Sequence, residues 1–99
     1  MVTHMAYRID MYIGSDNGSR RIDDIYLNKI QKWANDNFPD GYTILRGQGC
    51  YLGVSEDTVL IDALSKYDVA LREQLETLKQ DLGQEAILMV KAEVDFEMV

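Results

Sequence analysis

Between Gly14 and Arg21 the chain reads Gly-Ser-Asp-Asn-Gly-Ser-Arg-Arg, and the spacing that follows predicts a helix. Flexible backbone amides ahead of a helix N-terminus, followed by two guanidinium groups, are the parts from which proteins build sites for a carboxylate or phosphate. The spacing matches neither a P-loop nor a dinucleotide fingerprint. Asp16, Asp23 and Asp24 oppose an anion, and a solvated connection would have the same composition. Any small anionic ligand is therefore assigned to Gly18, Ser19, Arg20 and Arg21, where donors and positive charge coincide.

Other chemistries find fewer parts. Asp10 and Asp62 could do acid–base work if their strands are neighbours, although solvated acids are the commoner case. Cys50 and His4 are the one cysteine and the one histidine, too few to suggest a zinc or transition-metal site, and nothing in the spacing brings them together as a nucleophilic pair. No cofactor is expected and no catalytic residue is assigned. Enzymatic activity is left open, with a binding role favoured. Glu93, Asp95 and Glu97 alternate with apolar residues and read as an exposed strand face.

The 99 residues carry 17 acidic and 10 basic side chains, for a net charge of −7. That balance repels polyphosphate at long range, and no aromatic and basic motif of the RNA-recognition kind occurs, so nucleic-acid binding is not expected. No run reaches the roughly 20 apolar residues of a membrane span, and the first five residues lack the apolar stretch of a signal peptide. With no possible internal disulfide, these features lead us to expect a cytoplasmic protein that makes no membrane contact. Length and composition suit one domain over residues 1–99, with residues 1–5 mobile.

The elements that position these residues follow from periodicity. Tyr7 to Ile13 alternates as a half-buried strand. Ile22, Ile25, Tyr26, Ile30, Trp33 and Ala34 form one helical stripe, with Ser19 or Asp23 as cap, stopped by Phe38-Pro39-Asp40-Gly41. A second strand from Tyr42 to Leu52 leads through a connection at residues 53–57 to a central strand over Thr58–Leu64. Leu71, Leu75, Leu78 and Leu82 mark a second helix, capped by Ser65 or Asp68 and stopped at Gly83. The last strand, from Ala86, should begin buried and end half exposed. The order β-α-β-β-α-β predicts a ferredoxin-like α+β two-layer sandwich, an antiparallel sheet with both helices on one face.

Phe38-Pro39-Asp40-Gly41-Tyr42-Thr43, Gln48-Gly49 and Leu82-Gly83-Gln84-Glu85-Ala86-Ile87 resemble the turns of a bacterial domain-of-unknown-function family. The resemblance implies the same ferredoxin-like fold and supplies no activity. The expected function is a non-enzymatic small-molecule-binding, regulatory or interaction module acting as a homo-oligomer. The alternative is a small-molecule enzyme of the dimeric α+β barrel type. Self-association is expected because a two-layer sandwich leaves one sheet face uncovered, with Tyr12, Cys50 and Leu52 as candidates for that face.

Overall fold

The computed structural model describes residues 4–16 and 18–99. Strand β1 (His4–Gly14) leads into helix α1 (Asp24–Asn37), the hairpin strands β2 (Thr43–Tyr51) and β3 (Val54–Ser65), helix α2 (Arg72–Leu82) and the closing strand β4 (Leu88–Phe96). The sheet is antiparallel, with order β2-β3-β1-β4, so the two middle strands are the first and third in the chain. This is the expected ferredoxin-like α+β fold. Strand β1 begins earlier than the alternation suggested: His4 and Met5 pair with Phe96 and Asp95, and the His4 ring stacks on Phe96 at 5.3 Å.

The core forms where the odd-numbered residues of β1 and β3 meet the helices. Ile9, Met11 and Ile13 pack with Val59, Ile61 and Ala63 against Tyr26, Ile30, Trp33, Leu75, Leu78 and Leu82. Period-two and period-3.6 patterns thus point at one shared layer. The helices are tied together by the Trp33 indole, which donates to the Gln74 carbonyl at 2.9 Å.

Several local expectations are corrected. Asp23 alone caps α1, its carboxylate accepting from the Tyr26 amide at 2.8 Å, and Ile25 falls outside the buried stripe at 72% exposure. Helix α2 has no side-chain cap: Ser65 bonds Tyr67 and Asp68 pairs with Lys91 instead. Its C-terminus matches the sequence, Gly83 taking φ 68° while the Gly83 and Gln84 amides bond the Gln80 and Lys79 carbonyls in a Schellman arrangement. The β2–β3 connection is the two residues Leu52 and Gly53, both at positive φ, and not the longer segment 53–57. Consecutive left-handed residues match the twist of the flanking strands, which is why so short a turn serves. Strand β4 does not begin buried. It is an edge strand in which Met89 packs against the core while Leu88 and Val90 stand exposed on the other side.

Candidate functional site

The Gly14–Arg21 loop is held at the end of β1 by side chains from three other elements. Tyr26 of α1 donates its hydroxyl to the Gly14 carbonyl, and Gln84, just past α2, donates to the Ser15 carbonyl at 2.6 Å. Fully buried Ser15 donates its hydroxyl to Glu56 of β3 at 3.3 Å. Burial pushes the Tyr26 hydroxyl up to about 12, so it keeps its proton, and donates, across ordinary pH. A Cβ at Gly14 would lie 2.9 Å from Glu56 Oε1, so a larger residue there would have to push the end of that side chain aside.

Within the loop the amides already have partners, two of them carboxylates. Ser19 N–H donates to Asp16 Oδ2 at 3.4 Å, Arg20 N–H to the Asp16 carbonyl at 2.8 Å, and Ile22 N–H to Asp57 Oδ2 at 3.2 Å. Arg20 sits at φ 60°, an arrangement that returns the chain toward Asp57, whose amide bonds the Arg20 carbonyl at 3.1 Å. Gly18, Ser19, Arg20 and Arg21 are all exposed. Among the described residues neither guanidinium forms an ion pair. The loop thus presents free positive charge above amides that its own Asp16 engages.

A second candidate lies on the sheet face away from the helices. The register lines up Leu45, Leu60, Tyr12 and Leu88 as one row across all four strands. The next row is Thr43, Asp62, Asp10 and Val90, and the one after it sets Leu64, Arg8 and Ala92 side by side. Leu45, Leu64 and Leu88 are 54%, 48% and 60% exposed, so the rows form an apolar surface open to solvent. Of the residues expected there, Tyr12 is present. Cys50 has the strand parity of core-packed Ile44, so it points to the helix side, and Leu52 belongs to the turn. Glu93, Asp95 and Lys91 likewise have the parity of Met89. This leaves Leu88, Val90, Ala92 and Val94 for the open face.

In the middle of this surface stands a polar trio. Asp10 and Asp62 are directly opposite each other on β1 and β3, and Arg8 Nε lies 3.2 Å from Asp10 Oδ2 and 3.5 Å from Asp62 Oδ1. Asp10 is buried at 7% exposure, and among the described residues its Oδ1 is enclosed without a hydrogen-bond partner. Burial raises the Asp62 pKa. Asp10 raises it further by accepting a hydrogen bond from the protonated acid and by its charge, while Arg8 pulls the other way. The pairing of these two aspartates was visible in their strand positions. The apolar rows flanking them were missed because alternation in β4 does not say which of its faces meets the helices.

Two grooves also open on the surface of the described residues. One, of about 190 Å³, lies between the end of α1 and the sheet, with Phe38, Leu64, Val69 and Phe96 in its lining. The other, of about 470 Å³, runs between α2 and β4 over Leu75, Ile87 and Met89, with Arg72, Glu76 and Lys79 at its rim. Lys79 bonds Glu76 at 2.8 Å and holds that carboxyl below its ordinary pKa.

No family model matches the chain, and no curated protein matches it. Solved structures do. CPII of Thiomonas intermedia K12, a nitrogen regulatory PII-like protein bound to ADP, AMP and bicarbonate, aligns over 99% of both chains at 9% identity with a TM-score of 0.65. A phage SAM lyase in its apo state aligns over 90% of this chain and 81% of its own at 17% identity, TM-score 0.64. A phage SAM lyase in complex with S-methyl-5'-thioadenosine aligns over 94% and 90% at 13% identity, TM-score 0.58. At such identities the likeness is one of fold, and it agrees with the ferredoxin-like sandwich. No helix among the described residues is long and apolar enough to cross a membrane.

Proposed function

We propose that this chain is a small-molecule-binding regulatory module that works as a homo-oligomer joined through its open sheet face. The observation carrying the reading is the row Leu45, Leu60, Tyr12 and Leu88, with Val90 in the next row and Leu64 in the one after, an exposed apolar surface around the polar trio on a chain whose helices cover only the opposite side. A second copy is the self-complementary occupant, since a two-fold interface apposes the same patch on both chains. The ligand class we favour is an adenosine derivative with an anionic group. ADP and AMP on the PII-like neighbour and S-methyl-5'-thioadenosine on a phage lyase neighbour share the adenosine moiety. On this reading the exposed Arg20 and Arg21, with Gly18 and Ser19 beside them, meet the anionic end.

Sedimentation of the wild type at micromolar concentration is expected to give a multiple of the 11.3 kDa chain, and the double substitution Leu45→Glu, Leu88→Glu to give the single chain with an unchanged circular dichroism spectrum. Both leucines are more than half exposed, so the charges burden an interface and not the core. A wild type that sediments only as one chain overturns the oligomer. Titration with ADP, AMP and S-methyl-5'-thioadenosine, followed by amide chemical shifts, tests the ligand class, and shifts from none of the three overturn it.

The lyase neighbours support one second reading, an enzyme acting on an adenosyl sulfonium substrate, with Asp10 and Asp62 as its acid–base pair. Incubation with SAM decides it. Consumption that Asp62→Asn abolishes would favour the enzyme, and an unchanged SAM pool the binding module.

A further inference from the structure

Asp10 is buried before any second copy arrives while Asp62 beside it stays partly exposed, and the proposed interface would remove the water that remains. Arg8 contributes one positive charge against two carboxylates, so the trio carries a net negative charge when both acids are ionised. Covering that charge with the apolar rows of another chain costs desolvation that no counter-ion on this face repays. The facing groups are few. On β1 they are Arg8 and Tyr12, and His4 lies farther along the same side; β2 offers Thr43 and β4 offers Val90 and Ala92, none of them ionisable. Farther along β3, Glu56 is engaged by Ser15. One proton placed between the two aspartates removes the imbalance: it makes the trio neutral and lets one acid donate to the other, beside an Asp10 carboxylate whose Oδ1 has no partner among the described residues.

We propose that Asp10 and Asp62 hold a single proton between them when a second copy covers the sheet face, so that association takes up one proton per chain and acidification tightens the oligomer. The proposal rests on the homo-oligomer reading above and adds its regulation. The proton comes from solvent; one O–H bond forms and no other bond changes. Because the associated state prefers the protonated pair, affinity rises as pH falls through the pKa of the covered dyad, and it levels off below that of the uncovered one.

The test is the dissociation constant of the full chain by sedimentation between about pH 5.5 and about pH 8, where each proton taken up is worth about tenfold per pH unit. Wild type should associate more tightly toward the acid end. Asp62→Asn, which neutralises the trio and places an amide donor beside Asp10, should associate tightly throughout and lose most of the pH dependence. Asp10→Asn should do the same and serves if the first variant folds poorly by circular dichroism. Histidine changes charge over the same range, so His4→Gln is the companion variant, and it should keep the wild-type slope. An oligomer whose dissociation constant follows pH equally in wild type and both asparagine variants overturns the proton linkage and leaves the oligomer standing. Loss of the slope in His4→Gln also overturns the linkage. A single chain at every pH, in every variant, overturns both.

Discussion

The Trp33 side chain reaches from α1 to the backbone of α2, its Nε1 2.9 Å from the Gln74 carbonyl, while its ring meets Phe38 edge-on at a centroid distance of 6.0 Å. One residue therefore links the two helices and closes the C-terminal end of the first. Each helix buries only one stripe, so their mutual orientation depends on few such contacts.

Replacing Trp33 with Phe removes the indole donor and leaves space beside Phe38. The expected loss is about 1–3 kcal/mol, the sum of a hydrogen bond and a small cavity. Urea denaturation followed by circular dichroism measures it, since the variant removes the chain's one tryptophan. A midpoint equal to that of wild type would show that the helices are fixed by other contacts.

Tyr26 provides a stability signature at alkaline pH. Its hydroxyl ionises near the ordinary 10.0 in the unfolded chain and only at about 12 in the folded one. Below pH 10 both states hold the proton and stability is complete. As pH rises from 10 toward 12 the unfolded state alone releases it, so stability falls and then levels off. Tyr26→Phe should lose about 1 kcal/mol at neutral pH with the bond to the Gly14 carbonyl, yet decline less steeply through this window. Parallel alkaline unfolding curves for the two proteins would contradict this account.

The Tyr26 knot also illustrates what was legible in the sequence. The helix containing Tyr26, the strand ending at Gly14 and the Gly83 stop were each readable from local pattern, because periodicity and left-handed turn residues act over a few positions. That Tyr26, Ser15, Glu56 and Gln84 converge on one loop was not, since the contacts join segments up to 69 residues apart. The Asp10–Asp62 pair was a middle case: strand neighbourhood made it conceivable, and the register made it adjacent. The hairpin was misplaced because Leu52 at φ 52° is an unusual occupant of a left-handed position, which the sequence signals poorly. The open face was misassigned at Cys50 and in β4 for a related reason. An edge strand with apolar residues on both sides gives no preference for either register.

The loop at Gly18–Arg21 yields the last prediction. Asp16 already accepts from the Ser19 amide, so it occupies the position an anionic group would take, while Arg20 and Arg21 stand exposed above it. An incoming phosphate or carboxylate must displace one negative charge before it gains two guanidinium partners. Asp16→Asn should therefore strengthen binding of AMP or ADP, and Arg20→Ala with Arg21→Ala should weaken it by about 1.5–3 kcal/mol for each charge-assisted bond lost. The exposed side chains leave thermal stability within about 0.5 kcal/mol of wild type in the arginine variant. Isothermal titration beside thermal unfolding separates the two effects. If the Asp16 and arginine variants bind AMP and ADP as wild type does, the loop is a connection held by its own carboxylates and the ligand lies elsewhere.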